Sequence, residues 1–400
     1  MTKFGKFLDS NIRLLAQEAV GDALSDAQME PADVQSVFFS NAAAGILTGQ
    51  EMIRGQVALR DTGLLGKPII NVENACASAS SALNLAYLSV ASGQVDVAMA
   101  IGAEKLTHQD KRKSYAALGA AVDLLVFGDL IASMSAKGDA EPDPASKTEK
   151  TEKKGHSPFM EIYAMWARNY MNLTGATKED FARVAVKSHF NASHNPKAQY
   201  QEIVTLQDVL DSRQIADPLT TLMCAPIGDG AACVIVCSKD WAKAHGLDLI
   251  RVRASVVLSG TLRQIDEPGV TVTASRKAYE LSGIDPGDIN VVELHDAAAP
   301  AELITYEELG LCAPGDGVKL LVSGETSLGG RVPVNPSGGL LSKGHPIGAT
   351  GCAQIVELVD QLRGRCGGRQ VENARLALAE NGGGFLGTDA AAMAITILSK

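Results

Sequence analysis

Residues 30–37, EPADVQSV, match residues 285–292, DPGDINVV, position by position. Each segment follows an amphipathic helical stretch and leads into a run of alanines, at 42–44 and 297–299. Helix, proline turn and buried strand thus recur in one order, and such a repeat constrains the chain to build two related halves. A looser pairing strengthens the constraint. NACASASSALNLAYLSVASG followed by VDVAMAIGAE resembles GHPIGATGCAQIVELVDQLRG followed by ARLALAENGGG: a small-residue loop opens a helix, and an apolar strand comes after it.

The strands read as continuous apolar runs separated by helices, the pattern of covered α/β layers rather than of half-exposed hairpins. With 400 residues, 46% of them hydrophobic, the chain exceeds what one core usually serves, so the alternatives are two domains or one heavily elaborated fold. The repeat divides it. Residues 1–104 plus 229–249 form the first half and 250–400 the second. Residues 105–228 have no counterpart and read as an inserted loop domain. Within that insert KGDAEPDPASKTEKTEKKG, at 137–155, has no periodic apolar face and reads as an exposed loop. The stretch AVDLLVFGDLIASM at 121–134 is a candidate interface or part of the core.

A formal net charge of -10 supplies no basic field to collect phosphates, which argues against nucleic acid and membrane surfaces as partners. No apolar run reaches the length of a membrane span, and the first residues lack the apolar core of a signal peptide, so a cytoplasmic chain is expected. Seven scattered cysteines are an odd number and no disulfide framework. Cys233 and Cys237 share a strand face with no second Cys or His pair at metal-ligand spacing, so they read as structural and no metal site is expected.

Two residues carry chemistry. Cys76 follows an apolar strand and directly precedes the helical stretch 78–92, where the helix dipole and free N–H groups are expected to lower a thiol pKa and favour thiolate. His345, in GHPIGATG, opens the matching helix of the second half. A cysteine and a histidine at corresponding helix starts of a duplicated fold suit a nucleophile and its base.

Asn335 to Gly351, NPSGGLLSKGHPIGATG, resembles the GHP signature of the thiolase superfamily. NACASAS around Cys76 resembles its nucleophile loop, and Asp229-Gly230-Ala231-Ala232 resembles its DGAAA strand. The resemblance covers nearly the whole chain and implies the five-layered αβαβα thiolase fold with an inserted loop domain. His295-Asp296 resembles the His-Asp motif of sterol-carrier-protein-2-type and lipid-transfer-type thiolases, some of which pair with a small partner carrying a zinc ribbon and an OB fold.

That resemblance implies roles. Cys76 takes the acyl group as a thioester and His345 activates it. His295 and His345 hold the thioester oxygen of the second substrate, and the N–H groups of Cys76 and Gly383 hold the tetrahedral oxyanion, each such donor contributing about 3 kcal/mol. Asn335, Gly344 and Asp296 are implied to line the substrate site. Coenzyme A is then a substrate, no cofactor is permanently bound, and a homodimer is implied. The second catalytic cysteine of ordinary thiolases is missing, its place taken by Asn381, and Ala297 replaces the cysteine of the sterol-carrier type. Glu380 and Asp296 are candidate substitutes as proton carrier. The relatives' first strand has no match here, from which the start at Met1 is expected to be internal.

The leading expectation is a thiolase that cleaves a β-ketoacyl-CoA with a bulky sterol-derived, branched or aromatic acyl group, such as benzoylsuccinyl-CoA. Retro-aldol cleavage of a β-hydroxyacyl-CoA, or acyl-CoA binding without catalysis, are the alternatives.

Overall fold

A computed structural model describes residues 1–125, 158–264 and 267–400. The 137–155 segment and most of the 121–134 stretch lie outside the described residues. Ten strands are described: β1 (Ser36–Ser40), β2 (Ile69–Val72), β3 (Val97–Lys105), β4 (Gln214–Ala216), β5 (Leu219–Thr220), β6 (Asp229–Cys237), β7 (Arg251–Ser259), β8 (Val291–Glu293), β9 (Leu376–Leu386) and β10 (Asp389–Ser399).

The duplication is visible in the sheets. One has the order β2-β1-β3-β6 and the other β7-β10-β9-β8. β1 runs parallel to β3 as β8 does to β9, and β6 runs antiparallel to β3 as β10 does to β9. β6 follows the insert in sequence yet pairs with β3 from Val97–Cys237 to Lys105–Asp229, so the chain leaves and re-enters the same sheet.

The helices Ser78–Ala91 and Thr350–Arg363 lie between the two sheets. Side-chain size alternates accordingly. Ala98 and Ala100 of β3, Ala232 of β6, and Ala377 and Ala379 of β9 pack with Ala82, Ala86, Cys352 and Ala353 of the two helices. Small residues let sheet and helix backbones approach closely from both sides. The opposite face of β3 carries Val97, Met99 and Ile101, which pack against Leu15, Ala19 and Val20 of the helix Ile12–Ala27. On the far side, Leu378, Ile395 and Ile397 pack with Ala274 and Ala278 of the helix Val270–Ser282 and with Leu303 and Tyr306 of Ala299–Glu308. Helix, sheet, helices, sheet and helices stack as five layers.

The insert contributes the helices Pro158–Thr174 and Lys178–Ser193. Phe159, Tyr163 and Trp166 of the first of these surround Phe385 of β9, with ring centroids 4.8 to 5.4 Å from it. The insert is thereby anchored over the C-terminal end of β9, beside the site described next.

Candidate active site

β2 delivers the chain to a single tight turn, Ala75–Ala77, ahead of the helix Ser78–Ala91. Ala75 takes a left-handed φ of 48°, a strained conformation for a residue with a Cβ. Several hydrogen bonds hold it there. Asn74 donates its backbone N–H to Ser78 Oγ at 2.9 Å and its side-chain amide to Ser81 Oγ at 2.8 Å. From β9, Asn381 Nδ2 donates to the Cys76 carbonyl and to Ser80 Oγ, both at 3.0 Å. Gly383 packs so closely that a Cβ there would stand 2.1 Å from the Asn74 carbonyl oxygen.

His345 enters from the other half. Its Nε2 lies 3.2 Å from Cys76 Sγ and its Nδ1 lies 2.7 Å from Thr350 Oγ1. The single hydroxyl proton of Thr350 goes to the Pro346 carbonyl, so that oxygen accepts from Nδ1–H and leaves Nε2 unprotonated, facing the thiol. Behind it, Lys343 and Glu293 form a buried ion pair at 2.9 Å, and Ser337 adds a hydroxyl and an N–H to the same carboxylate.

His295 follows β8. Its backbone N–H donates to Glu380 Oε2 at 2.8 Å, and its ring stands at 74° to that of His345 with centroids 5.1 Å apart. Its Nε2 is buried with no hydrogen-bond partner. Cys76, His295 and His345 are 5%, 8% and 7% exposed, so the cluster is recessed but not sealed.

Burial sets the electrostatics. It pushes the Cys76 thiol up to about 12, against the lowering effect of the Gly384 N–H and of its own N–H. Desolvation thus works against the lowering expected from the helix start and favours a neutral thiol beside a neutral imidazole. Burial lowers His295 to about 4, and burial, His295 and Lys343 together hold His345 well below the usual imidazole range. Glu380 is pushed up to about 8 by burial, with the His295 N–H opposing. It therefore holds a proton at neutral pH.

The Gly384 N–H, next to the expected donor Gly383, reaches the Cys76 sulfur: the pairing of β9 with β10 is interrupted between Gly383–Ala392 and Phe385–Ala390, where Gly384 adopts a φ of 63°. Asn335, Gly344 and Asp296 are buried. Asn335 is wholly buried, accepting from Leu294 N and donating to Glu302. Asp296 Oδ1 accepts from Leu340 N. Gly344, at a φ of 107°, packs against Gln199 and Phe4. All three shape the loop beneath His345. Glu380 is where its position beside the missing cysteine suggests, but its bond is to the His295 backbone.

Sequence reading missed Thr350 and Glu104. Thr350 carries a legible signal, a hydroxyl residue at the start of a helix five positions after the histidine. Glu104 carries none along the chain, since its partners Asn41, Ala42, Ala43 and Gly348 come from distant segments.

Comparison with known proteins agrees with this architecture. Residues 1–240 match the family described as "Thiolase, N-terminal domain" and residues 263–399 match "Thiolase C-terminal domain-like". The chain is 39% identical to an acetyl-CoA acetyltransferase of Methanothermobacter thermautotrophicus, over 97% of this chain and 96% of that protein. It is 40% identical to the benzoylsuccinyl-CoA thiolase subunit BbsB of Thauera aromatica, over 96% and 92%. With sterol carrier protein 2 of Rattus norvegicus the identity is 35%, over 95% and 68%. The solved Ltp2-ChsH2(DUF35) aldolase superposes with a TM-score of 0.76 at 27% identity, covering 100% of this chain and 95% of that one. Among the described residues no helix is long and apolar enough to cross a membrane.

Proposed function

Because the chain belongs to the thiolase family, with sterol carrier proteins and lipid-transfer-like thiolases among its relatives, and is a thiolase-type acyltransferase, we propose that it cleaves a β-ketoacyl-CoA with a bulky acyl group through a thioester on Cys76. The observation that carries the reading is the 3.2 Å contact between Cys76 Sγ and His345 Nε2.

His345 takes the thiol proton as Sγ attacks the β-keto carbon. The alkoxide forms against the N–H groups of Cys76 and Gly383, fixed donors that stabilise developing charge without reorganising. The bond between the α- and β-carbons then breaks, leaving an acyl thioester on Cys76 and an enolate whose thioester oxygen faces His295 and His345. Glu380, protonated at neutral pH, is the proposed source of the proton that the enolate carbon takes up. Coenzyme A enters as the second substrate after the proton that His345 took from Cys76 has returned, by exchange with water, to the Glu380 carboxylate; its thiol proton then goes to His345 as its sulfur displaces Cys76, and His345 hands that proton to the departing Cys76 thiolate.

The bulky or aromatic acyl group rests on the 40% identity to the benzoylsuccinyl-CoA thiolase subunit BbsB. A homodimer, and a zinc-ribbon and OB-fold partner like the DUF35 companion in the Ltp2 assembly, are part of the proposal. Leu124 and Leu125, the last described residues of the 121–134 stretch, are 68% and 93% exposed and suit such an interface. Co-expression and size-exclusion chromatography test it, and separate elution counts against it.

Intact-mass measurement after mixing the protein with β-ketoacyl-CoA esters, in the absence of free coenzyme A, tests the chemistry. An acyl-sized gain that disappears in Cys76→Ser is the expected result. The likeness to the Ltp2-ChsH2(DUF35) aldolase motivates one second reading, retro-aldol cleavage. Aldehyde release from a β-hydroxyacyl-CoA with no requirement for coenzyme A or Cys76 would establish that reading instead.

A further inference from the structure

Along the chain no cysteine or histidine pair stands at metal-ligand spacing around Cys76, and the fold brings such a set together from three distant segments. One ligand atom each from Cys76, His295 and His345 lie within 4.8 Å of one another, and all three residues are buried. We propose that these side chains form a soft divalent cation site, taking Zn²⁺ or Cd²⁺, and that occupation reversibly blocks the nucleophile. This goes beyond the acyl-transfer reading but uses the same residues.

The ligand chemistry is that of a Cys-His-His zinc site, three protein ligands with a fourth position for water. Zn–S and Zn–N bonds of about 2.3 and 2.0–2.1 Å at tetrahedral angles put sulfur and nitrogen roughly 3.6 Å apart. The observed 3.2 Å between Cys76 Sγ and His345 Nε2 requires only a small opening of that pair. Two further observations point to a ligand. His295 Nε2 is a buried ring nitrogen without a partner, a costly arrangement that a metal bond would relieve. Thr350 fixes the His345 tautomer from the far side of the ring, the outer-sphere support that metal-bound histidines commonly have.

The balance is simple. The S–H bond of Cys76 breaks, its proton leaves to the buffer, an S–metal bond forms, and each neutral imidazole donates one lone pair. Nothing is oxidised or reduced. Lysine and arginine side chains contribute no ligand here, so the ion keeps one positive charge after binding the thiolate.

The test is calorimetric titration of the full chain with ZnCl₂ and CdCl₂, with Cd–thiolate absorbance and iodoacetamide labelling of Cys76 read by peptide mass spectrometry. One ion per chain, one proton released, protection of Cys76 and reversal by a chelator are expected. Binding should weaken at least about tenfold in Thr350→Val and further in His295→Gln, and this site's Cd–thiolate band should vanish in Cys76→Ser. The other six cysteines provide the control. Binding that is unchanged in both Cys76→Ser and His295→Gln places the ion elsewhere and overturns the proposal, as does the absence of binding. None of these readouts needs turnover, so a failed thiolase assay and a failed metal titration remain separate results.

Discussion

The carboxylate of Glu104, at the end of β3, accepts the backbone N–H of Gly348 at 3.0 Å and so joins the first half of the molecule to the turn that carries His345. The same carboxylate accepts the N–H groups of Ala42 and Ala43 and the side-chain amide of Asn41, so one buried group fixes two loops at once. Glu104→Gln replaces an acceptor oxygen with a donor that faces these N–H groups. The expected outcome is a fall in kcat with KM nearly unchanged, since Glu104 positions the base and touches no substrate. Burial raises the Glu104 pKa to about 7, so the folded state holds a proton that the unfolded chain releases nearer 4.5. This contribution to stability is fully present below about 4.5 and is lost as pH rises through about 7. Denaturant titration across that window should show the slope in the native chain and less of it in the variant.

Cys76 should behave as a thiol that needs its base. With burial pushing its pKa up to about 12, the rate of alkylation by iodoacetamide should keep rising through pH 10, where a freely exposed cysteine has already levelled. Peptide-level mass spectrometry of Cys76 against the exposed-thiol rate measures this directly. A plateau near pH 7 would mean that the thiolate–imidazolium pair is the resting state.

Much of this arrangement could be read from the chain because it is encoded locally. The repeated helix, proline turn and strand of residues 30–37 and 285–292 become β1 and β8 in corresponding places of the two sheets, and the two small-residue loops become the starts of the two central helices. Cys76 and His345 meet because those helices do. What escaped depends on three dimensions. Gly384 and Gly383 are alike in sequence, and only the interrupted ladder with β10 decides which N–H turns toward sulfur. The pKa of Cys76 follows from how completely the insert and β9 cover it, a quantity that helix-start position does not contain. Asn335 and Asp296 sit in the motifs that carry the resemblance, yet only the fold shows that the Asn335 amide is held by the Leu294 N–H and the Glu302 carboxylate and that Asp296 Oδ1 accepts from Leu340 N.

Gly383→Ala should damage both fold and activity. The new Cβ would meet the Asn74 carbonyl at 2.1 Å and Ala77 N at 2.6 Å, both backbone atoms that cannot swing aside. Overpacking of this kind costs about 1–3 kcal/mol, and relief requires the Cys76 turn to move. Thermal denaturation should show a lower Tm, and acyl-adduct formation should fall by more than the loss of folded protein explains.

Thr350→Val isolates the tautomer of His345. The hydroxyl that accepts Nδ1–H disappears while the volume of the side chain is nearly kept, so the imidazole becomes free to carry its proton on Nε2, facing a thiol that then has no acceptor. General-base assistance is worth about 10²–10⁴-fold, and kcat should fall toward that range with little change in Tm. Thr350→Ser, which restores the oxygen, should recover most of the rate. Equal losses in both variants would show that packing of the γ-methyl, not the hydrogen bond, supports His345.

Lys343 and Glu293 show the opposite balance, in which charge matters to the fold before it matters to catalysis. Both are essentially inaccessible to solvent, and their 2.9 Å pair is completed by Ser337. Replacing one partner leaves the other charge buried without a counterion, which costs about 3–5 kcal/mol, whereas removing both charges together is often close to neutral. Lys343→Met should therefore lower the denaturation midpoint strongly, and Lys343→Met combined with Glu293→Gln should recover much of the loss. The two variants part company at the site. Lys343 is one of the groups that hold His345 neutral, so the doubly changed protein, though refolded, should show the acid limb of its kcat profile at higher pH than the native chain. An acid limb that stays in place while stability recovers would confine the pair to a structural role.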